Sequence, residues 1–90
     1  MRGNYMFKSK ADNGNNNLCG SAIMRLRKSA FPKMSQRILA EKLQLYGVDV
    51  DKNAIQRIEC GKRFVTDIEL ISICKVFNIT PDKLLEDFLL

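Results

Sequence analysis

From Leu18 onward the chain is divided at short intervals by residues that start or stop helices. This punctuation constrains the fold more than any other feature. Pro32 disfavours helix at the residue before it, so a first periodic segment carrying Ile23, Leu26 and Ala30 must end there. Ser35 is a good N-cap for a second segment. Its apolar stripe is Leu39, Leu43 and Tyr46 with Ala40 beside it, and Gly47 is the expected stop. Asp51 opens a third segment with Ile55 and Ile58 facing inward, and Gly61 closes it. Thr66-Asp67-Ile68-Glu69 has the capping-box spacing, in which the threonine hydroxyl and the glutamate carboxylate each satisfy a free backbone amide. The expected buried face of this fourth helix is Ile68, Ile71, Cys74 and Phe77, with Asn78 suited to a left-handed C-cap. Thr80-Pro81 supplies an N-cap followed by proline at the first helical position, starting a fifth helix with Leu84, Leu85 and Phe88 inward. No segment shows a strand signal, so the expected class is all-α with five short helices.

Ninety residues can enclose one modest core, not two. Residues 1–17 carry Gly3, Gly14 and a cluster of Asn and Asp without apolar periodicity, and are expected to be a disordered tail ahead of a single domain over 18–90. The Arg2, Lys8 and Lys10 side chains of that tail would also suit an arm lying along a nucleic-acid groove. No apolar run approaches the roughly 18 residues that span a bilayer, and no apolar stretch follows the basic N-terminus as in a secretory signal. A cytoplasmic protein is expected.

Cys19, Cys60 and Cys74 form no CxxC pair, and the chain has no histidine to complete a zinc site. They read as small residues kept reduced. Without histidine, Ser-His and Cys-His nucleophile pairs are impossible, and no two carboxylates frame a cleft. Neither an enzyme, a cofactor nor a small-molecule substrate is expected.

Charge is distributed unevenly. Residues 25–63 hold ten basic side chains against four acidic ones, a net of +6, whereas residues 64–90 hold two against five, a net of −3. One side of the molecule is therefore expected to face a polyanion. The third helix has the matching chemistry. Lys52, Asn53, Gln56 and Arg57 project away from Ile55 and Ile58, and such a helix can enter a major groove about 12 Å wide. Asparagine pairs bidentately with adenine, and lysine or arginine reaches O6 and N7 of guanine.

The run Ser35-Gln36-Arg37-Ile38-Leu39-Ala40, followed by Ile55-Gln56-Arg57-Ile58-Glu59-Cys60-Gly61-Lys62-Arg63, resembles the lambda-repressor-like (XRE-type, Cro-type) helix-turn-helix family. Leu26-Arg27 and Val76-Phe77-Asn78-Ile79 extend the resemblance over most of residues 18–86. It implies a five-helix domain of a bacterial or phage transcription regulator, most simply a repressor, binding double-stranded DNA as a homodimer. On this resemblance Lys52, Asn53 and Arg57 occupy the base-reading positions, with Gln56 a further candidate. Gln36, Lys62 and Arg63 would meet phosphates, and Arg27 and Glu59 would form a largely buried salt bridge.

The approach from Leu43 to Asp51 and the Ser29–Met34 connection are both longer than in the tightest family members, and Asp49 has no role in this reading. Dimer candidates are the apolar end Phe88-Leu89-Leu90 and exposed residues around helices four and five. The alternative function is a protein-interaction module, such as an antitoxin-like or anti-repressor component.

Overall fold

The computed structural model describes residues 14–89. Within them lie five α-helices and no strand: α1 (Gly20–Lys28), α2 (Gln36–Gln44), α3 (Lys52–Glu59), α4 (Asp67–Phe77) and α5 (Pro81–Leu84), followed by a 3-10 turn over Glu86–Phe88. Residues 1–13, most of the expected tail, and Leu90 lie outside the described residues.

Four helices begin on side-chain caps. Ser35 Oγ accepts from the Ile38 amide (3.1 Å), Asp51 Oδ1 from Ala54 (2.8 Å), Thr66 Oγ1 from Glu69 (3.2 Å) and Thr80 Oγ1 from Lys83 (3.4 Å). Each bond satisfies one of the amides that a helix start leaves without a partner. Glu69 completes the capping box by accepting from the Thr66 amide (3.0 Å). Val65 before this cap and Leu70 in the next turn occupy the hydrophobic-staple positions, and both pack on the core.

Three helices end alike. At α2 the Val48 amide reaches the Leu43 carbonyl (3.1 Å) and the Gly47 amide that of Gln44 (3.0 Å). The same paired bonds join Lys62 to Arg57 and Gly61 to Ile58 after α3, and Ile79 to Cys74 and Asn78 to Lys75 after α4. This is the Schellman arrangement, and it requires a left-handed residue at its centre. Gly47, Gly61 and Asn78 supply φ of +82°, +81° and +55°.

The core gathers one to three side chains from each α-helix. Ile23, Leu39, Leu43, Ile55, Ile58 and Ile73 are at most 1–2% exposed, with Ala40, Cys19, Cys74 and Leu84 around them. Each such aliphatic side chain contributes about 1.5–3 kcal/mol by leaving water. The long α2–α3 connection belongs to this core. Val48 and Val50 are buried, Asp49 between them points outward, and Gln44 Nε2 donates to the Val50 carbonyl (2.9 Å).

Three expectations need correcting. Tyr46 lies beyond the end of α2 and is half exposed, because the α2 frame turns off at Leu45. In α4 the buried side chains are Ser72, Ile73 and Cys74, with Leu70, Val76 and Phe77 partly covered, while Ile68 and Ile71 face outward. A spacing of three lags the helical turn by about 60° per step, so Ile68 and Phe77 stand on opposite sides of the axis. Finally, the fifth helix is four residues long, and Phe88, in the 3-10 turn after it, is half exposed.

Candidate nucleic-acid interface

Helix α3 is the most strongly two-sided element. Ile55 and Ile58 are buried, whereas Lys52, Asn53, Gln56 and Arg57 are all exposed. Lys52 and Gln56 are one helical turn apart, as are Asn53 and Arg57, so the four form two adjacent columns on one face. Among the described residues, none of these four side chains makes an ion pair or a side-chain hydrogen bond. Their donors and acceptors point to solvent and are available to a ligand.

The opposite side of α3 is tied down at several points. Glu59, at its last turn, is buried and accepts from Arg27 Nε (2.6 Å) and Nη2 (2.9 Å) of α1. Arg27 Nη1 also donates to the Met34 carbonyl (3.2 Å), and Gln36 Nε2 of α2 donates to Glu59 Oε1 (3.0 Å). One carboxylate thus joins α1, α2 and α3. Its hydrogen bonds push the Arg27 pKa above the already high guanidinium value. A buried pair of this kind adds little net stability, yet removing one partner costs about 3–5 kcal/mol because the other charge is stranded.

Gly20 brings α1 against α3. A Cβ there would lie 2.1 Å from the Ile58 carbonyl oxygen and 3.1 Å from that of Glu59. The segment before α1 closes the same end. Asn17 Nδ2 donates to the carbonyls of Ile58 (3.1 Å) and Arg63 (2.7 Å), while its Oδ1 accepts from the Gly20 amide (2.8 Å). Asn16 bonds Gly61 through its amide (2.7 Å) and Lys62 through Nδ2 (2.9 Å). Asn16 and Asn17, expected as the end of the tail, therefore pack on the turn that follows α3 and bond the carbonyls of Ile58, Gly61, Lys62 and Arg63.

Sequence reasoning missed Gly20, Asn16 and Asn17. The available signal was a glycine in the first turn of a helix, where it is costly unless a neighbour needs the space.

The residues expected at phosphates divide. Lys62 is exposed immediately after α3. Gln36 uses one amide hydrogen on Glu59, leaving the second for another acceptor. Arg63, expected beside Lys62, is instead engaged by Glu69 of α4, through Nη1 and Nη2 at 3.0 Å each, and by the Phe64 carbonyl (3.1 Å). The Arg63 guanidinium holds the Glu69 carboxyl below its usual range, and Glu69 in turn raises Arg63. Arg63 thereby fastens the α3–α4 connection to the α4 cap.

Among the described residues no group of His, Cys, Asp and Glu is arranged to hold a metal, and no helix is long and apolar enough to cross a membrane. The chain matches no protein-family model, no curated protein and no solved structure.

Proposed function

We propose that this protein is a sequence-specific DNA-binding transcription regulator of the helix-turn-helix kind, in which α2 braces α3 and α3 reads the major groove. The observation that carries the reading is the outer face of α3. Lys52, Asn53, Gln56 and Arg57 stand there exposed and unengaged within the described chain, on a helix whose other side is locked to α1 and α2. A reading helix needs donors and acceptors that are unspent and a scaffold that holds them still, because base discrimination depends on bidentate geometry. Lys52 and Arg57 suit guanine, Asn53 and Gln56 suit adenine, and Lys62 and the remaining amide hydrogen of Gln36 suit flanking phosphates.

The test starts by selecting bound sequences from a random duplex pool with the full chain. Affinities of Lys52→Ala, Arg57→Ala and Lys62→Ala are then compared on selected and scrambled duplexes. The first two are expected to lose about tenfold or more on the selected duplex alone, as loss of a base contact does, while Lys62→Ala weakens both duplexes about equally. A pool that yields no preferred sequence, or three variants that behave alike, would sink the reading. Absence of DNA binding even at low salt would favour the protein-interaction module instead.

A further inference from the structure

Helix α4 leaves an apolar strip uncovered. Its exposed positions are Asp67, Ile68, Ile71 and Lys75, which lie within about 100° of one another around the axis. Ile68 is 73% exposed and Ile71 43%. The strip continues onto the residues after α2, where the Lys75 ammonium sits over the Tyr46 ring, 6.0 Å from its centre. Tyr46 and its neighbour Leu45 are 50% and 86% exposed. Isolated exposed hydrophobic residues are ordinary, but this is a connected group rimmed by charge.

The charges select the occupant. Ile71 is one helical turn from Asp67 on one side and from Lys75 on the other, so the strip runs acid, apolar, base. Turned end for end about a two-fold axis through Ile71, the strip becomes its own complement. Asp67 of each copy then meets Lys75 of the other, the isoleucines meet in the middle, and the helix dipoles oppose one another. A parallel arrangement would set aspartate against aspartate and lysine against lysine. Leu18, Phe31 and Phe64 are exposed elsewhere, and Phe88 and Leu89, next to each other in the chain, adjoin Glu86 and Asp87 and offer no such self-complementary pattern.

We infer that the outer face of α4, with Tyr46 and Leu45, is the docking surface for a second copy of this chain in an antiparallel α4–α4 pair. A full aromatic side chain covers about 150–250 Å² and an aliphatic one somewhat less, so the exposed fractions amount to roughly 500 Å² of apolar surface per copy. A standard stable interface buries about 800 Å² per partner. The dimer is therefore weak alone and is strengthened by any ligand that holds two copies together.

Sedimentation equilibrium of the full chain, from micromolar to near-millimolar concentration and without DNA, tests this surface independently of the nucleic-acid reading. The wild type is expected to pass reversibly from monomer to dimer, and Ile71→Asp to remain monomeric. Asp67→Lys and Lys75→Asp should each weaken the dimer by about tenfold, since each replaces two opposite-charge contacts by like-charge ones. Circular dichroism checks that every variant keeps its helices. An equimolar mixture of the two charge variants restores complementary pairs and should dimerise as tightly as the wild type. A wild type that stays monomeric throughout, an Ile71→Asp variant that still dimerises, or a mixture no tighter than its components would each overturn the proposal.

Discussion

Gly20 shows how one atom can decide the placement of a helix. Alanine in a helix is favoured over glycine by about 1 kcal/mol. Against that gain, a methyl at residue 20 would meet the Ile58 carbonyl oxygen at 2.1 Å, and the obstacle is backbone rather than a side chain that can swing away. Overpacking of this kind costs about 1–3 kcal/mol or more, so the clash wins. Gly20→Ala is expected to lower the melting temperature by several degrees, and an unchanged or raised one would show that α1 and α3 are not in close contact.

The three cysteines differ for an equally local reason. Burial pushes the Cys19 thiol up to about 11 and raises Cys74 as well, whereas Cys60 is exposed at the end of α3. Alkylation of the native protein near neutral pH should add one adduct, at Cys60, and denaturation should admit all three. Native labelling of Cys19 or Cys74, read by peptide mass spectrometry, would contradict the packing. The spacing of Ile23, Leu39, Ile55 and Ile58 was enough to mark them as core. Asn17 was not legible in this way, because the carbonyls that it satisfies lie 41 and 46 residues away.

Among the elements, α4 carries the clearest pH dependence. Glu69 is bonded to Arg63 and to the Thr66 amide, and these bonds hold its carboxyl below the unfolded value. The native state therefore binds fewer protons at this site than the unfolded chain across the acid range. The resulting stability is complete above the ordinary glutamate pKa of about 4.3 and drains as pH falls through the lowered value. Glu69→Gln should lose stability at neutral pH and show a shallower decline on acidification. A melting-temperature profile with the same slope as the wild type would refute this account.

Helix starts at Ser35, Asp51, Thr66 and Thr80 were legible because a cap and its amide lie within three residues of each other. The buried face of α4 was not, since Ile68, Leu70, Ile71, Ile73, Val76 and Phe77 put apolar side chains on most of its circumference. With so little contrast, only the neighbours α2 and α5 could choose a side.

For the molecule as a whole, the basic middle of the chain overstates the charge free to meet a polyanion. Arg27 and Arg63 are held in largely buried pairs with Glu59 and Glu69, and Arg25 and Arg37 pair at the surface with Asp87 and Glu41. Lys52, Arg57 and Lys62 are exposed and carry no such pair among the described residues. The salt dependence of DNA affinity should therefore follow the second group. Lys62→Ala is expected to reduce the slope of log affinity against log salt by about one, because one fewer counterion is released. Arg63→Gln should lower thermal stability and leave that slope unchanged. A slope that responds equally to both substitutions would mean that Arg63 leaves Glu69 to bind phosphate.

Residues read in order were sufficient for the helical class, four N-caps, the burial of Ile23, Leu39, Ala40, Leu43, Ile55 and Ile58, and the polar outer face of α3. All of these depend on spacing within one or two turns, and local geometry repeats wherever the same residues recur. Packing alone decided which side of α4 is buried, that Arg63 serves Glu69, and that Asn16 and Asn17 close the end of α3. Those outcomes rest on contacts between segments far apart in the chain, where several partners are chemically equivalent until the fold brings one of them within reach.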